Sequence, residues 1–147
     1  MAIFIEGLPV PKGNHKAFTF RSRRTGRQTI RIVDQGGAAL KDWQNKIAAH
    51  VKELIEKPFA QPWAISLDVV FYLPRPKCHF TKTGKPSAKW RLHHTTKPDR
   101  DKLLRAVQDA LIGVVYVDDN QVFDGRVKKD YADYPHTVGV EITITIC

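Results

Sequence analysis

The spacing of apolar residues along the chain predicts a long helix followed by a long strand. Over residues 37–55 apolar side chains recur at helical spacing with charged residues between them, which predicts a helix of about five turns ending before Pro58. Over residues 63–73 apolar and polar positions alternate instead, which predicts a strand with one buried face. Pro74 stops that strand, because proline cannot donate to a sheet.

A second helical pattern lies in the last third of the chain. It begins at Asp99 or Asp101, either of which can cap a helix, and its apolar face continues to Leu111. At 100° per residue, Asp101, Arg105 and Gln108 fall on one stripe opposite that apolar face. The exposed side of this helix is therefore predicted to carry functional side chains.

Shorter β-type patterns surround the two helices. They occupy residues 3–10, 16–22, 29–33, 114–117, 122–129 and 138–146. The second and third of these segments flank a turn at residues 23–27 and predict a hairpin. The last is so apolar at alternate positions that an exposed edge would invite aggregation, so we expect it to be central or paired across a dimer. A chain of 147 residues with this pattern is predicted to form one domain.

The charge balance favours a polyanionic partner. The chain holds 24 Lys and Arg against 15 Asp and Glu, a formal charge of +9, which favours nucleic acid or an anionic membrane surface over a basic protein with neither partner. Its apolar runs are too short to span a membrane, and no signal peptide is expected at the start. Cys78 and Cys147 show no pairing pattern and are read as free thiols. A cytoplasmic protein is therefore expected.

Two basic segments are candidates for DNA contact. The hairpin tip at residues 23–27 contains no acid, and neither does the aperiodic arm at residues 74–97, which carries Phe80 and Trp90 among its cations. Such an arm can close on a nucleic-acid backbone and stack on an unpaired base, or it can be a solvated, partly disordered insertion. Zinc binding by His79, His93 and His94 with Cys78 is not favoured, because no spaced second ligand pair is present. The DNA-binding candidates are Lys12, Arg21, Arg23, Arg24, Arg27, Arg75, Lys77, Lys82, Lys85, Lys89, Arg91, Lys97 and Lys102.

Carboxylates gathered at the second helix suggest a cation site. Asp99 and Asp101 lie two positions apart at the helix start, and the chain can return Asp118 and Asp119 beside them after its turn. Magnesium takes oxygen ligands, usually one or two protein carboxylates with waters and substrate phosphate oxygens. Each acid taken singly can equally be a helix cap or a turn residue. Their concentration in a basic protein favours a metal-dependent nuclease.

Three segments of the chain resemble one known family. They are Lys97-Pro98-Asp99-x-Asp101-x-Leu103, Asp109-Ala110-Leu111-x-Gly113 and Tyr116-x-Asp118-Asp119-x-Gln121-Val122, and the N-terminal Gly7-x-Pro9-Val10-Pro11-Lys12-Gly13 is also similar. The pattern resembles the RusA family of Holliday junction resolvases, common in bacteriophages and prophages. The resemblance implies an α+β fold with a mixed sheet and two main helices. It also implies a homodimer that nicks four-way DNA junctions in recombination and repair, using magnesium, for which manganese can substitute.

The resemblance also assigns roles to residues. Asp99, Asp101 and Asp119 become the metal-binding acids, and Arg105 stands where the family usually has a catalytic lysine. A guanidinium is a poor proton shuttle, so Arg105 is expected to clamp the developing phosphoryl charge. Lys102 stands where the family commonly has asparagine. Two alternatives stay open: a non-catalytic nucleic-acid-binding module, and a related nuclease acting on flaps or other branched DNA.

Overall fold

A mixed five-stranded sheet forms the centre of the described chain. The computed structural model describes residues 1–13, 15–21, 23–34 and 37–147, so Ser22, the last residue of one predicted strand, lies outside the described residues. The elements are β1 (Ala2–Glu6), β2 (His15–Arg21), β3 (Gln28–Asp34), α1 (Gly37–Lys52), β4 (Ile65–Leu73), α2 (Arg100–Leu111), β5 (Val122–Asp124), β6 (Val127–Tyr131) and β7 (Gly139–Ile146). Two short 3-10 helices lie at Lys77–His79 and Asp119–Gln121.

The sheet combines antiparallel and parallel pairs. β7 lies between β1 and β4 and pairs with both in the antiparallel sense. The other edge of β4 pairs in parallel with β5 near its start and with β6 along its second half. β2 and β3 form a separate antiparallel hairpin, as the sequence predicts. Of the two alternatives predicted for the last strand, a central position or pairing across a dimer, the structure shows the central position.

Helices α1 and α2 pack on one face of this sheet. The core joins Trp43, Ile47 and Val51 of α1 with Leu103 and Val107 of α2. It also contains the alternate residues of the two central strands, namely Ile65, Leu67, Val69, Phe71, Val140, Ile142 and Ile144. Each helix thus buries the apolar stripe read from its sequence. The predicted α+β architecture, a mixed sheet with two main helices, is confirmed. No helix among the described residues is long and apolar enough to cross a membrane.

Local departures from the predicted elements have physical causes. α1 ends at Lys52 rather than near Pro58, and Leu54 is left exposed. The predicted strand at residues 114–117 is instead a tight turn with isolated bridges at Tyr116, because the Gly113 N–H donates to the Tyr116 carbonyl. The predicted strand at 122–129 is split at Gly125, where an added Cβ would lie 2.1 Å from the Leu67 carbonyl oxygen. Only glycine allows the chain to pass so close to β4.

Candidate active site

The start of α2 presents two exposed carboxylates. Asp99 immediately precedes the first helical residue in an extended conformation, and its side chain makes no capping hydrogen bond. Asp101 lies in the first turn, where an acid also complements the helix dipole. Lys102 approaches Asp99 at 3.7 Å and Arg100 approaches Asp101 at 3.3 Å, with both carboxylates more than half exposed. Ion pairs this exposed are weak, so an incoming cation can displace them.

A lysine on β6 holds the segment that leads into these acids. The Lys129 ammonium donates to the carbonyl oxygens of Thr96 at 2.7 Å and Pro98 at 2.8 Å. Because both carbonyls lie within the three residues before Asp99, this contact fixes the backbone from which the carboxylate projects. Lys129 also lines the shallow cavity that contains Asp99 and Asp101, together with Thr95 and Lys97. We call this the carboxylate-pair cavity.

A second cavity lies farther along α2 and mixes both signs of charge. It is lined by Lys12, Gly13, Lys102, Arg105, Gln108, Asp109 and Asp119. The Lys12 ammonium forms an ion pair with the Asp109 carboxylate, and the Lys12 N–H donates to the Lys102 carbonyl at 3.0 Å. The N-terminal segment is thereby fastened to α2 at two points. We call this the mixed-charge cavity.

Asp118 and Asp119 have different surroundings despite being adjacent. The Asp118 side chain accepts from the Asn120 N–H at 2.9 Å and caps the 3-10 helix. The Gln121 side chain is buried, accepts from the N–H groups of Val117 and Asp118, and donates to the carbonyls of Phe59 and Trp63. Asp119, by contrast, is exposed and faces the mixed-charge cavity. The structure therefore gives Asp118 a local structural contact and places Asp119 in the cavity that Arg105 also lines.

A buried tyrosine supports the same turn. Tyr116 is fully buried and its hydroxyl donates to the Gln108 carbonyl at 3.0 Å. Burial, followed by the charges of Asp119 and Asp109, raises the pKa of the Tyr116 hydroxyl far above its usual value. The phenol therefore stays protonated and serves as a fixed donor that joins the turn before Asp119 to α2.

The predicted metal ligands do not all meet within one chain. Asp99 and Asp101 share the carboxylate-pair cavity, whereas Asp119 lies in the mixed-charge cavity. Among residues 1–13, 15–21, 23–34 and 37–147, no three His, Cys, Asp or Glu side chains are close enough to hold one metal ion. The Asp99 and Asp101 pair alone fits magnesium, since that ion often takes only two protein carboxylates and completes its sphere with water and phosphate oxygens.

Arg75 is not an exposed DNA-binding side chain. Its guanidinium pairs with both carboxylate oxygens of Asp133 and donates to the Arg91 carbonyl, and only 5% of its side chain is exposed. It also stacks over the rings of Tyr131 at 3.9 Å and Trp90 at 4.8 Å. Through these contacts Arg75 fastens the arm to the protein body, so its guanidinium is occupied within the chain. They also place the half-buried Trp90 ring against the Arg75 guanidinium.

Two histidines complete the packing around Tyr131. His79 meets the Tyr131 ring edge-on at 5.4 Å, and His94 meets it tilted at 4.9 Å. Burial lowers the pKa of both imidazoles, helped by Arg75 near His79 and by Lys129 near His94. Both rings are therefore neutral at pH 7. We call Arg75, His79, Trp90, His94, Tyr131 and Asp133 the arm root.

The remaining predicted DNA contacts are mostly on the surface. Lys12 is half-buried in its ion pair with Asp109, and Lys102 lines the mixed-charge cavity. The other candidates are exposed, at the hairpin tip in Arg21, Arg23, Arg24 and Arg27, and along the arm in Lys77, Lys82, Lys85, Lys89, Arg91 and Lys97. The arm and the hairpin thus present two cationic surfaces of the kind that bind phosphates without regard to sequence.

Sequence reasoning missed three residues that shape the site. Nothing in the sequence distinguishes Lys129 from the other lysines, and only the fold brings its ammonium to the carbonyls of Thr96 and Pro98. Asp109 was noted as part of the family pattern, but its pairing with Lys12 joins segments 97 residues apart. Gln121 could have been found, because Asp118 with Gln121 three positions later is a capping-box spacing.

The fold and the site together define a class of protein. It is a basic α+β protein that displays exposed carboxylates within a cationic surface at the start of a helix. A family model described as endodeoxyribonuclease RusA matches residues 6–145, and the chain therefore belongs to the RusA endodeoxyribonuclease family. The chain is also 40% identical over 82 residues to the protein YqaN of Bacillus subtilis (strain 168). That match covers 54% of this chain and 56% of YqaN, so the chain spans about half the length of this curated relative.

Proposed function

We propose that the protein is a magnesium-dependent endodeoxyribonuclease that resolves four-way DNA junctions by paired phosphodiester hydrolysis. One observation carries the proposal: Asp99 and Asp101 are exposed and loosely paired at the start of α2, in a cavity that Lys97, Arg100 and Lys129 also line. Membership of the endodeoxyribonuclease RusA family supports the reaction type. Hard carboxylate donors beside a polyanion-binding surface are what magnesium-assisted hydrolysis needs.

The metal would be held by Asp99 and Asp101, with Asp119 as the third acid of the proposed set. When bound, magnesium supplies Lewis-acid stabilisation of phosphoryl charge and activation of water. Manganese has similar ligand preferences and is expected to substitute. Asp119 lines the neighbouring mixed-charge cavity rather than the carboxylate-pair cavity. We therefore propose that Asp119 reaches the metal only when DNA is bound.

The other side chains of the site would orient the DNA and stabilise charge. The Arg105 guanidinium lines the same cavity as Asp119 and can make two parallel hydrogen bonds to a phosphoryl group. Lys12 and Lys102, at the border of that cavity, can contact the flanking phosphates. Hydrolysis adds a water oxygen to phosphorus and breaks the bond to the 3′ oxygen, which leaves as a hydroxyl after taking up a proton.

The proposed working unit is a homodimer. Two symmetric strands of a junction are cut in step most simply by two active sites related by a two-fold axis. Sedimentation or light scattering should then give twice the 16.7 kDa mass of one chain. A mass of one chain under cleavage conditions would contradict the paired mechanism while leaving single-strand nicking open to test.

The decisive experiment replaces one carboxylate. D101N keeps the size of the side chain but removes its charge, so junction binding should persist while magnesium-dependent cleavage falls at least about 100-fold. E53Q, directly after the end of α1, is the matched control, because Glu53 is an exposed acid outside the site, and it should cleave as the wild type does. Undiminished cleavage by D101N would refute the catalytic assignment.

The substrate is tested in the same assay by offering several DNAs. Four-way junctions, flaps and linear duplexes are compared at one salt concentration, because affinity for DNA depends steeply on salt. Preferential paired cleavage of the four-way junction is expected. Preferred cleavage of flaps would reassign the substrate, and tight binding without cleavage of any DNA would identify a non-catalytic binding module.

A further inference from the structure

An apolar cavity lies directly beside the carboxylate pair. Its walls come from Leu8, Pro9 and Pro11 of the N-terminal segment and from Leu73 and Pro74 at the end of β4. Its volume is about 520 Å³, within the range of roughly 300–1,000 Å³ that is typical of small-ligand sites. These walls offer aliphatic and proline surfaces, which suit the flat face of a ring and give a phosphate no donors.

The mouth of this cavity is charged in a way that fits a nucleotide. Lys97, Asp99 and Lys102 line it, and Asp99 at the same time borders the carboxylate-pair cavity. Lys102 also borders the mixed-charge cavity. A ligand with an apolar ring inside the cavity and a phosphate outside it would therefore find lysines at the phosphate and the proposed metal-binding acid next to it.

His94 adds one polar wall to an otherwise apolar interior. It lines the cavity and is 8% exposed, and its Nδ1 has no hydrogen-bond partner among the described residues. Because burial and Lys129 keep the pKa of this imidazole below its ordinary value, the ring is neutral at pH 7. A neutral ring can lie against a nucleobase without burying an unpaired charge.

We propose that this cavity receives one unstacked nucleobase of the branched DNA. The base would lie next to the phosphodiester that is cleaved at Asp99 and Asp101. This inference rests on the proposed function, since the base is one of the substrate's own. Extruding a base is least costly where its stacking is already interrupted, as at a branch point. Burial of its ring against Leu8, Pro9 and Pro11 then offsets the remaining cost.

The cavity would set where the strand is cut. Its mouth is fixed relative to Asp99 by the α2 start, so the inserted base has a defined position next to the scissile bond. The site would thereby select branch-point nucleotides over those of continuous duplex. Base identity would be sensed through the fit of the ring within the apolar walls.

The test uses 2-aminopurine, a base analogue whose fluorescence rises when it leaves the stack. The analogue is placed in turn at each nucleotide near the crossover of a four-way junction, with calcium in place of magnesium so that strands stay intact. Binding of the wild-type chain is expected to raise the fluorescence strongly at one position only. L8Q, which replaces an exposed apolar wall with a polar side chain of similar size, should reduce that rise at least about threefold.

The matched control is L92Q on the arm. Leu92 is 63% exposed and Leu8 is 60% exposed, and only Leu8 lines the cavity, so L92Q should keep the wild-type signal. The double variant L8Q/P11Q removes a second wall and should abolish the rise while junction binding, measured separately, persists.

The outcomes separate this inference from the proposed function. A wild-type chain that does not bind the junction overturns both. Binding without a fluorescence rise at any position, or a rise that L8Q and L8Q/P11Q leave unchanged, overturns the base-binding cavity alone. If those variants instead change the mass of the assembly in solution, the cavity is covered by a second copy of the chain, and the inference is also wrong.

Discussion

The arm root and the α2 start are both built from charged residues, but they use their charges differently. At the arm root, Arg75 is nearly buried and its guanidinium is occupied by Asp133, by the Arg91 carbonyl and by two aromatic rings. At the α2 start, Asp99 and Asp101 are exposed and meet their nearest cations at 3.7 and 3.3 Å. The first arrangement is closed, whereas the second is open to a ligand.

This difference shows why residue type alone does not identify a functional charge. A buried arginine with satisfied donors stabilises structure, because exposing it would leave Asp133 and the Arg91 carbonyl without their partner. Exposed pairs contribute little to stability, so evolution can retain them for binding. Occupied charges should therefore affect stability when they are replaced, and available charges should affect binding and cleavage.

The largest expected effect distinguishes two adjacent acids. Asp119 faces the mixed-charge cavity, while Asp118 caps a 3-10 helix. D119A should lower junction cleavage at least about 100-fold, since it removes a proposed ligand of the metal, with thermal stability nearly unchanged. D118A should retain cleavage but lose about 1 kcal/mol of unfolding free energy, the usual value of a cap. Both variants are compared by cleavage assay and urea denaturation. If D118A lost as much cleavage as D119A, Asp118 would also have to be a metal ligand.

Breaking the arm root should chiefly affect stability. R75Q removes the charge from a nearly buried side chain and should lower the free energy of unfolding by about 2 kcal/mol. That is less than for a fully buried pair, because the Asp133 side chain is half exposed. K77Q, an exposed cation two positions away, is the control and should change stability little. If denaturation shows R75Q as stable as K77Q, the arm root is not a closed structural cluster.

The carboxyl group of Asp133 should make the stability difference between the wild type and R75Q depend on pH. The hydrogen bond from Arg75 lowers the pKa of the Asp133 carboxyl below its ordinary value. The stability due to this pair is therefore fully present above the ordinary pKa of an aspartate and is lost as the pH falls through the lowered one. This loss at acid pH should be absent from R75Q.

Much of the fold was predictable because its signals are local. The apolar stripes of α1 and α2 and the alternation in β4 and β7 set the core, and each pattern is legible within a window of about 10 to 18 residues. The split between β5 and β6 could not be predicted from the sequence, because it depends on a close approach of Gly125 to the Leu67 carbonyl of another strand. The turn at residues 114–117 was misread since Val114, Val115 and Tyr116 are strong β formers placed in a turn by core packing.

The sequence predicted several residues of the candidate site, but not which of them lie close together. Asp101 and Arg105 follow from helical spacing and lie on α2, and Asp99 directly precedes its first residue. The separation of Asp119 from Asp99, and the pairing of Lys12 with Asp109, depend on how distant segments pack. The contact between Arg75 and Asp133 was not predictable for the same reason, because the two residues are 58 positions apart.

A moderate effect is expected from the exposed cations of the arm. Lys82, Lys85 and Lys89 are exposed and should bind phosphates. Replacing all three with glutamine should weaken junction binding about tenfold at moderate salt and reduce the slope of log affinity against log salt by up to about three. Substitution of Lys41, Lys46 and Lys52 on α1 is the control with equal charge loss. An unchanged salt slope in the arm variant would show that the arm does not contact DNA.

The smallest expected effect is the response of the arm root to pH. The pKa of His94 is lowered chiefly by burial, with Lys129 adding repulsion, and that of His79 is lowered in the same way with Arg75 nearby. Between the lowered value and the ordinary 6.5, the unfolded chain binds more protons than the folded one, so stability rises with pH across that window. Denaturation between pH 5 and pH 7.5 should show this rise, and H94F should diminish it. H93F, at an exposed neighbouring position, should leave it intact. If H94F showed the wild-type dependence on pH, protonation of His94 would not be what weakens the arm root, and the closed character assigned to that cluster would rest on Arg75 alone.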